Sequence, residues 1–116
     1  MATFQPSKAT EDYNKRVGSR IKLFRELKGM TQTDLAIPLG YKSSGAFSLI
    51  ESGVRGLNKT KLVHAAKLLD TFPEVLTAKQ SLTNQELIDL NTFLLIRTNP
   101  KHPLHKKMIK IIKLNP

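Results

Sequence analysis

The chain of 116 residues contains no cysteine and no tryptophan, and only nine of its residues are acidic. The absence of cysteine excludes a disulfide scaffold and a cysteine-based zinc site, and fits a reducing cytoplasm. The N-terminal residues lack the apolar run of a secretory signal. The densest apolar segment, residues 87–96, is interrupted by polar residues and is too short to span a bilayer. We therefore expect a soluble cytoplasmic protein, formed by one domain with an appendage.

The residue types that catalysis requires are also sparse. His102 and His105 flank a proline beside Lys101, Lys106 and Lys107, whose positive charges would repel a metal ion. No carboxylate pair lies near a histidine, and no glycine-rich phosphate loop follows a strand. We expect a protein that is not an enzyme and needs no cofactor or metal.

Positive charge is what the chain has in excess. Nineteen Lys and Arg residues give a net charge of +10 and a pI of about 10.1. The excess is +4 in residues 1–30, +2 in residues 31–80 and +4 in residues 81–116, so it is not confined to one tail. This charge exceeds what solubility requires and favours a phosphate-bearing partner such as nucleic acid, with an anionic membrane surface second.

Apolar residues recur at helical spacing along most of the chain, which predicts an all-α fold. The first helix is expected to follow a cap at Thr10, after a flexible arm at residues 1–9, and a fourth to follow a cap at Asn58. Pro73 begins a short fifth helix. Thr83 and Glu86 form a capping-box pattern for a sixth, residues 84–97, and a basic amphipathic helix follows from Pro103.

Between the first and fourth helices, residues 31–51 predict two short helices joined by a tight turn. Thr31 with Asp34 caps the first of them, which Pro38 should shorten or bend only slightly. Gly40 suits the left-handed conformation that ends it, and Ser43 or Ser44 can cap the second. This pattern is typical of a helix-turn-helix unit, although two ordinary core helices would also produce it.

Residues 17–76 resemble the phage-repressor and Cro-like helix-turn-helix family, also called XRE. The resemblance is carried by RIKLFRELKGMTQTDLA (residues 20–36), Leu39-Gly40, SLIE (residues 48–51), Gly53 and LVHAAKLL (residues 62–69). It implies a five-helix lambda-repressor-like domain over residues 10–76, whose third helix enters the DNA major groove. The implied function is a sequence-specific regulator in a bacterial or phage-infected cell: a homodimeric, autoregulatory repressor located on the nucleoid.

The family's functional positions fall on specific residues of this chain. Arg25 and Glu51 match an internal ion pair, and Gln32 matches a glutamine that bonds a phosphate and braces the recognition helix. The other positions implied to contact DNA are Lys42, Ser43, Ser44, Gly45, Ser48, Leu49, Ser52, Arg55 and Lys59. The turn is one residue longer than the commonest spacing, and Gly45 and Leu49 replace polar base readers. The bases read are therefore not predicted.

The C-terminal extension, residues 77–116, contains the last two helices. The sixth is apolar over more than half of its circumference, so it needs two surfaces to bury against. We expect one to be a second copy of the chain, through Leu87, Leu90, Phe93, Leu94 and Ile96. The alternative is an antitoxin or other interaction module, whose C-terminal helices bind a partner protein.

The basic helix 103–114 has three possible roles: packing on the sixth helix, contacting phosphate or lying on lipid.

Overall fold

The computed structural model describes residues 7–114, with side chains from Ser7 to Ile111. Helices and turns account for this part of the chain, without strands, so the all-α prediction is confirmed. The helices are α1 (Lys8–Leu27), α2 (Gln32–Ala36), α3 (Ser44–Glu51), α4 (Lys59–Leu68), α5 (Pro73–Thr77), α6 (Asn84–Thr98) and α7 (His105–Leu114). They form two compact units that divide between Lys79 and Gln80, with α1–α5 in unit 1 and α6–α7 in unit 2.

Three predicted helix starts are confirmed by their capping hydrogen bonds. The side-chain oxygens of Thr31, Asn58 and Thr83 each accept the backbone N–H of the residue three positions later, at 2.8–3.1 Å. In α2 the carboxylate of Asp34 accepts the backbone N–H of Thr31 at 2.8 Å in return. Hydrogen bonds from Thr31 lower the pKa of Asp34 below its ordinary value of 3.8.

The predicted cap of α1 is wrong. Ser7, not Thr10, is the N-cap, because its hydroxyl oxygen accepts the backbone N–H of Thr10 at 3.1 Å. Of the expected N-terminal arm, residues 1–6 lie outside the described part of the chain, and Lys8 and Ala9 are the first residues of α1.

Two other helices are shorter than expected. Helix α2 ends at Ala36, before Pro38, and hydrogen-bonded turns continue to Gly40. Gly40 has a φ of 89°, as predicted for the end of this segment. Helix α7 begins at His105 rather than at Pro103, because the preceding residues form turns in which the backbone N–H of His105 donates to the carbonyl of His102 at 3.0 Å.

The core of unit 1 forms where α1 contacts α3 and α5, α2 contacts α3, and α4 contacts α5. Its largest fully buried side chains are Phe47, Ile21, Leu35, Leu69, Leu76 and Val75. Each such burial stabilises the fold by about 1.5–3 kcal/mol, and Phe47, at the centre of α3, contributes one of them.

Arg20 adds a polar connection between α1 and α5. Its guanidinium donates to the carbonyls of Val75 at 3.1 Å and Ala78 at 2.7 Å. Burial, and secondarily the positive charge of Arg16, lower the pKa of Arg20. None of the helices within residues 7–114 combines the length and the apolar character that crossing a bilayer requires.

Candidate nucleic-acid interface

Helix α3 has one buried face and one open face. Phe47, Ile50 and Glu51 point into unit 1 and are less than a tenth exposed. At 100° per residue, Gly45, Leu49 and the C-cap residue Ser52 lie on the opposite side of the helix, with Ser48 at its edge. Gly45 and Ser52 are exposed and Ser48 and Leu49 are half-buried, so this side is open to solvent or to a partner.

The end of α3 is held by a network around the carboxylate of Glu51. Arg25 of α1 donates two hydrogen bonds to it, at 2.6 and 3.0 Å, and Gln32 of α2 donates a third at 2.9 Å. Arg25 also donates to the carbonyl of Met30 at 2.7 Å. The hydrogen bonding of Arg25 to the Glu51 carboxylate is the main reason that the pKa of Arg25 is raised. One carboxylate therefore fixes α1, α2 and α3 against one another.

Two glycines allow the end of α3 to lie directly on α1. A Cβ at Gly18 would meet the backbone carbonyl oxygens of Ile50 and Glu51. A Cβ at Gly53 would lie 2.7 Å from the Cα of Lys15, and Gly53 has a φ of 83°. Both contacts involve backbone atoms, which have little room to yield.

The loop after α3 folds back over the end of the helix. The carbonyl oxygen of Leu49 accepts from the backbone N–H groups of Val54 and Arg55, at 3.0 and 3.1 Å, and from the Ser52 hydroxyl at 3.2 Å. These bonds keep Ser52 and Arg55, which are both exposed, next to the open face of α3. The structure thus brings together the predicted contacts of α3 and those of the following loop.

The remaining predicted contacts flank this surface. Lys42 and Ser43 precede α3 and are exposed, Ser44 on α3 is half-buried, and Lys59 is exposed in the first turn of α4. Gln32 is half-buried, and its amide donates to Glu51.

The hydroxyl groups of this surface differ in their hydrogen bonds. The Ser48 hydroxyl donates to the carbonyl of Gly45 at 2.8 Å, so its oxygen keeps lone pairs available to an outside donor. Ser43 occupies the N-cap position of α3, but its side chain makes no capping hydrogen bond, so the predicted cap is present in position only. The first N–H groups of α3 are therefore not satisfied by this side chain.

The structure reveals a further cation near the turn. The ammonium of Lys61 on α4 lies 4.1 Å from the centroid of the Tyr41 ring, and this ring lies 5.9 Å from that of the buried Phe47. Lys61 thereby helps to hold Tyr41, the residue that precedes Lys42. Nothing in the sequence indicated this pair, because its members are twenty residues apart on different elements.

Gly45 shows no structural need to be glycine. The nearest atom to a Cβ placed there is the Ser43 hydroxyl oxygen, at 3.6 Å, which is an ordinary contact distance. Replacing Gly45 by Ala should raise the free energy of unfolding by about 0.5–1 kcal/mol, because alanine loses less backbone entropy in a helix. Urea unfolding of the two proteins measures this gain.

Unit 2 carries the residues predicted to form a dimer. Leu87 and Ile96 are already buried within the chain, Leu90 and Leu94 are half-buried, and Phe93 is exposed. Leu87 therefore has little surface left for a second copy, whereas Ile96 lines an apolar groove together with Phe93. Dimerisation through these residues stays a prediction.

Comparison of the chain with known protein families, with curated proteins and with solved structures finds no match.

Proposed function

We propose that unit 1 is a five-helix, lambda-repressor-like helix-turn-helix domain and that the chain is a sequence-specific regulator of transcription that binds double-stranded DNA, most simply as a repressor. The observation that carries this proposal is the position of α3. Its inner face is fixed by Phe47 and by the Arg25–Glu51–Gln32 network, while its outer face remains open. A rigid, outward-facing helix is what reading the DNA major groove requires.

The dimensions of α3 fit that groove. A helix of eight residues is about 12 Å long, and the major groove of B-DNA is about 12 Å wide. Gly45 and Ser48 would face the base edges. The Ser48 oxygen can accept from the exocyclic amino group of adenine or cytosine, and Leu49 can contact a thymine methyl group.

Phosphate contacts would come from the residues around α3. Lys42, Arg55 and Lys59 are exposed cations before α3, in the following loop and at the start of α4. The backbone N–H groups at the start of α3, which Ser43 does not cap, would donate hydrogen bonds to a phosphate oxygen. Such contacts position the protein on DNA without reading sequence.

Substitutions on the two sets of residues should have different effects on DNA binding. Arg55→Ala should weaken binding to the chain's own upstream DNA and to a random duplex equally, and reduce the salt slope by about one. Ser48→Ala should weaken binding to the upstream duplex alone. The measurement is fluorescence anisotropy across a salt series. Lys67→Ala, which removes an exposed charge on α4 away from the proposed interface, is the matched control.

The wild-type protein provides the decisive comparison. Binding to the upstream duplex tighter than to the random duplex by about 10³ or more, at physiological salt, supports a sequence-specific regulator. Equal binding that salt abolishes leaves only a basic surface and overturns the proposal.

Gly45→Ala tests the fit of α3 in the groove. We expect its gain in stability to be accompanied by a roughly tenfold loss of DNA affinity, about 1.4 kcal/mol, because the added methyl group separates the helix from the base edges. An unchanged affinity would mean that the first turn of α3 does not approach DNA closely.

Unit 2 presents an apolar groove that a second copy of the chain would cover. The groove has a volume of about 440 Å³ and is lined by Phe93, Ile96, Leu104, Lys107, Met108 and Ile111. Leu104 is 48% exposed and Ile111 is 60% exposed. Dimerisation would bury this surface, and a dimer would bind DNA with two half-sites about 34 Å apart.

The same groove favours the alternative function, in which the chain is an antitoxin or another module that binds a partner protein through unit 2. The molar mass from light scattering during size-exclusion chromatography distinguishes the homodimer from this alternative. We expect the wild-type protein to have twice the 13.0 kDa mass of one chain, and Phe93→Ser to have the mass of a monomer. Leu27→Ser, which alters an exposed leucine of unit 1, is the control and should stay dimeric. A monomeric wild-type protein would support the alternative.

A further inference from the structure

A second groove, on unit 1, has the composition of a small-molecule site. It lies between α1, α4 and α5 and has a volume of about 550 Å³. This is within the range of ligand pockets, about 300–1,000 Å³. We call it the α1–α4–α5 groove, and define it by Tyr13, Arg16, Lys59, Val63, Glu74 and Lys79.

The groove gathers positive charge. Arg16, Lys59 and Lys79 contribute three cations, against the single carboxylate of Glu74. Arg20 lies close enough for the charge of Arg16 to lower its pKa, although Arg20 itself is directed to the carbonyls of Val75 and Ala78. Cations held together in this way attract an anion.

Arg16 is held in place but not satisfied. Its guanidinium carbon lies 5.6 Å from the centroid of the Tyr13 ring, which orients the side chain. Its Nε atom is buried and has no hydrogen-bond partner among the residues that the structure describes. A buried donor on a charged group costs free energy when it has no acceptor.

The walls suit a ligand that is more than an inorganic anion. Leu57, Leu62, Val63 and Pro73 form apolar surface beside the cations, and the Tyr13 ring adds an aromatic face. Apolar and aromatic walls bind a ring, whereas a planar guanidinium suits phosphate oxygens. The Glu74 carboxylate can accept hydrogen bonds from ring amino groups.

We propose that the α1–α4–α5 groove binds a mononucleotide. Its phosphate would be bound by Arg16, Lys59 and Lys79, and its base would lie on Tyr13 and the apolar wall. Lys59 is also a proposed DNA-phosphate contact, so nucleotide and DNA would compete for this side chain, and each would weaken binding of the other. This coupling rests on the proposed function; nucleotide binding by itself does not.

The test is isothermal titration of the full chain with AMP, GMP, CMP, UMP and inorganic pyrophosphate at physiological salt. We expect at least one nucleotide to bind about tenfold or more tightly than pyrophosphate, a difference of ~1.4 kcal/mol. Arg16→Ala should weaken that nucleotide about tenfold, and Arg16→Lys should restore only part of the loss. Lys67→Ala, which removes one positive charge outside the groove, should change the affinity for that nucleotide by less than about twofold. Circular dichroism checks that each variant is folded.

Three results would overturn the proposal: no heat of binding with any nucleotide up to about 1 mM, equal affinity for pyrophosphate and nucleotides, or an equal loss in Lys67→Ala and Arg16→Ala. Anisotropy with labelled DNA, with and without the nucleotide, then tests the competition. DNA affinity that the nucleotide leaves unchanged overturns the coupling alone. DNA binding without the nucleotide is a separate measurement, so failure of the proposed function is recognised independently of failure at the groove.

Discussion

Replacing Glu51 by Ala should lower the free energy of unfolding by about 3–5 kcal/mol, the usual cost of removing one partner of a buried ion pair. The side chain of Glu51 is 4% exposed and that of Arg25 is 10% exposed. Without the carboxylate, the guanidinium would keep its bond to the carbonyl of Met30 and a longer ion pair with the exposed Glu26, at 3.8 Å. The Gln32 amide would lose its acceptor. Chemical denaturation with urea measures the loss.

A surface pair within α1, the helix that contains Arg25, provides the control. Lys22 and Glu26 lie 4.0 Å apart, with side chains 58% and 57% exposed. Lys22→Ala should change stability by less than about 0.5 kcal/mol, because exposed pairs contribute little. The double variant Arg25→Met, Glu51→Leu should be more stable than Glu51→Ala, since no charge is left buried without its partner. If Glu51→Ala costs no more than Lys22→Ala, the network does not hold α3.

Replacing Gly18 by Ala should have the second largest effect on stability. Alanine normally stabilises a helix interior by about 0.5–1 kcal/mol relative to glycine. Here the added Cβ would lie 2.7 Å from the carbonyl oxygen of Glu51, and closer still to that of Ile50. Helices α1 and α3 would have to separate, and overpacking of this kind costs about 1–3 kcal/mol, so we expect a net loss.

Gly45→Ala is the matched control for Gly18→Ala, because it makes the same substitution in a helix where the space is open. The two variants should change the urea midpoint in opposite directions. Gly18→Ala should also weaken DNA binding, because α3 would shift relative to α1. Equal or greater stability of Gly18→Ala would show that the two helices can separate at no cost, and would remove the proposed reason for glycine at this position.

The local features of the fold were predictable from the sequence because they depend on neighbouring residues. The caps at Thr31, Asn58 and Thr83 each join residues three positions apart. Helical spacing of apolar residues predicted the all-α class for the same reason. The predicted start of α1 was wrong because Ser7 and Thr10 are both good caps, and local preference alone does not choose between them.

Part of the candidate interface could also be predicted. The resemblance to the helix-turn-helix family pointed to Arg25, Glu51 and Gln32, which the structure joins in one network. It pointed to the exposed residues of α3 and the following loop as well. The contact of Lys61 with Tyr41 was missed, because no local pattern links two residues that only the packing of α4 brings together.

The sequence by itself determined the helices, the absence of cysteine chemistry and the strong positive charge. Tertiary structure decided where backbone approaches backbone, as at Gly18, and which cations converge on one groove, as Arg16, Lys59 and Lys79 do. It also decided that Leu87 and Ile96 are buried within the chain, while Phe93 stays exposed. Helix formation depends on residues within about one turn, whereas these features depend on residues far apart in the chain that packing brings together.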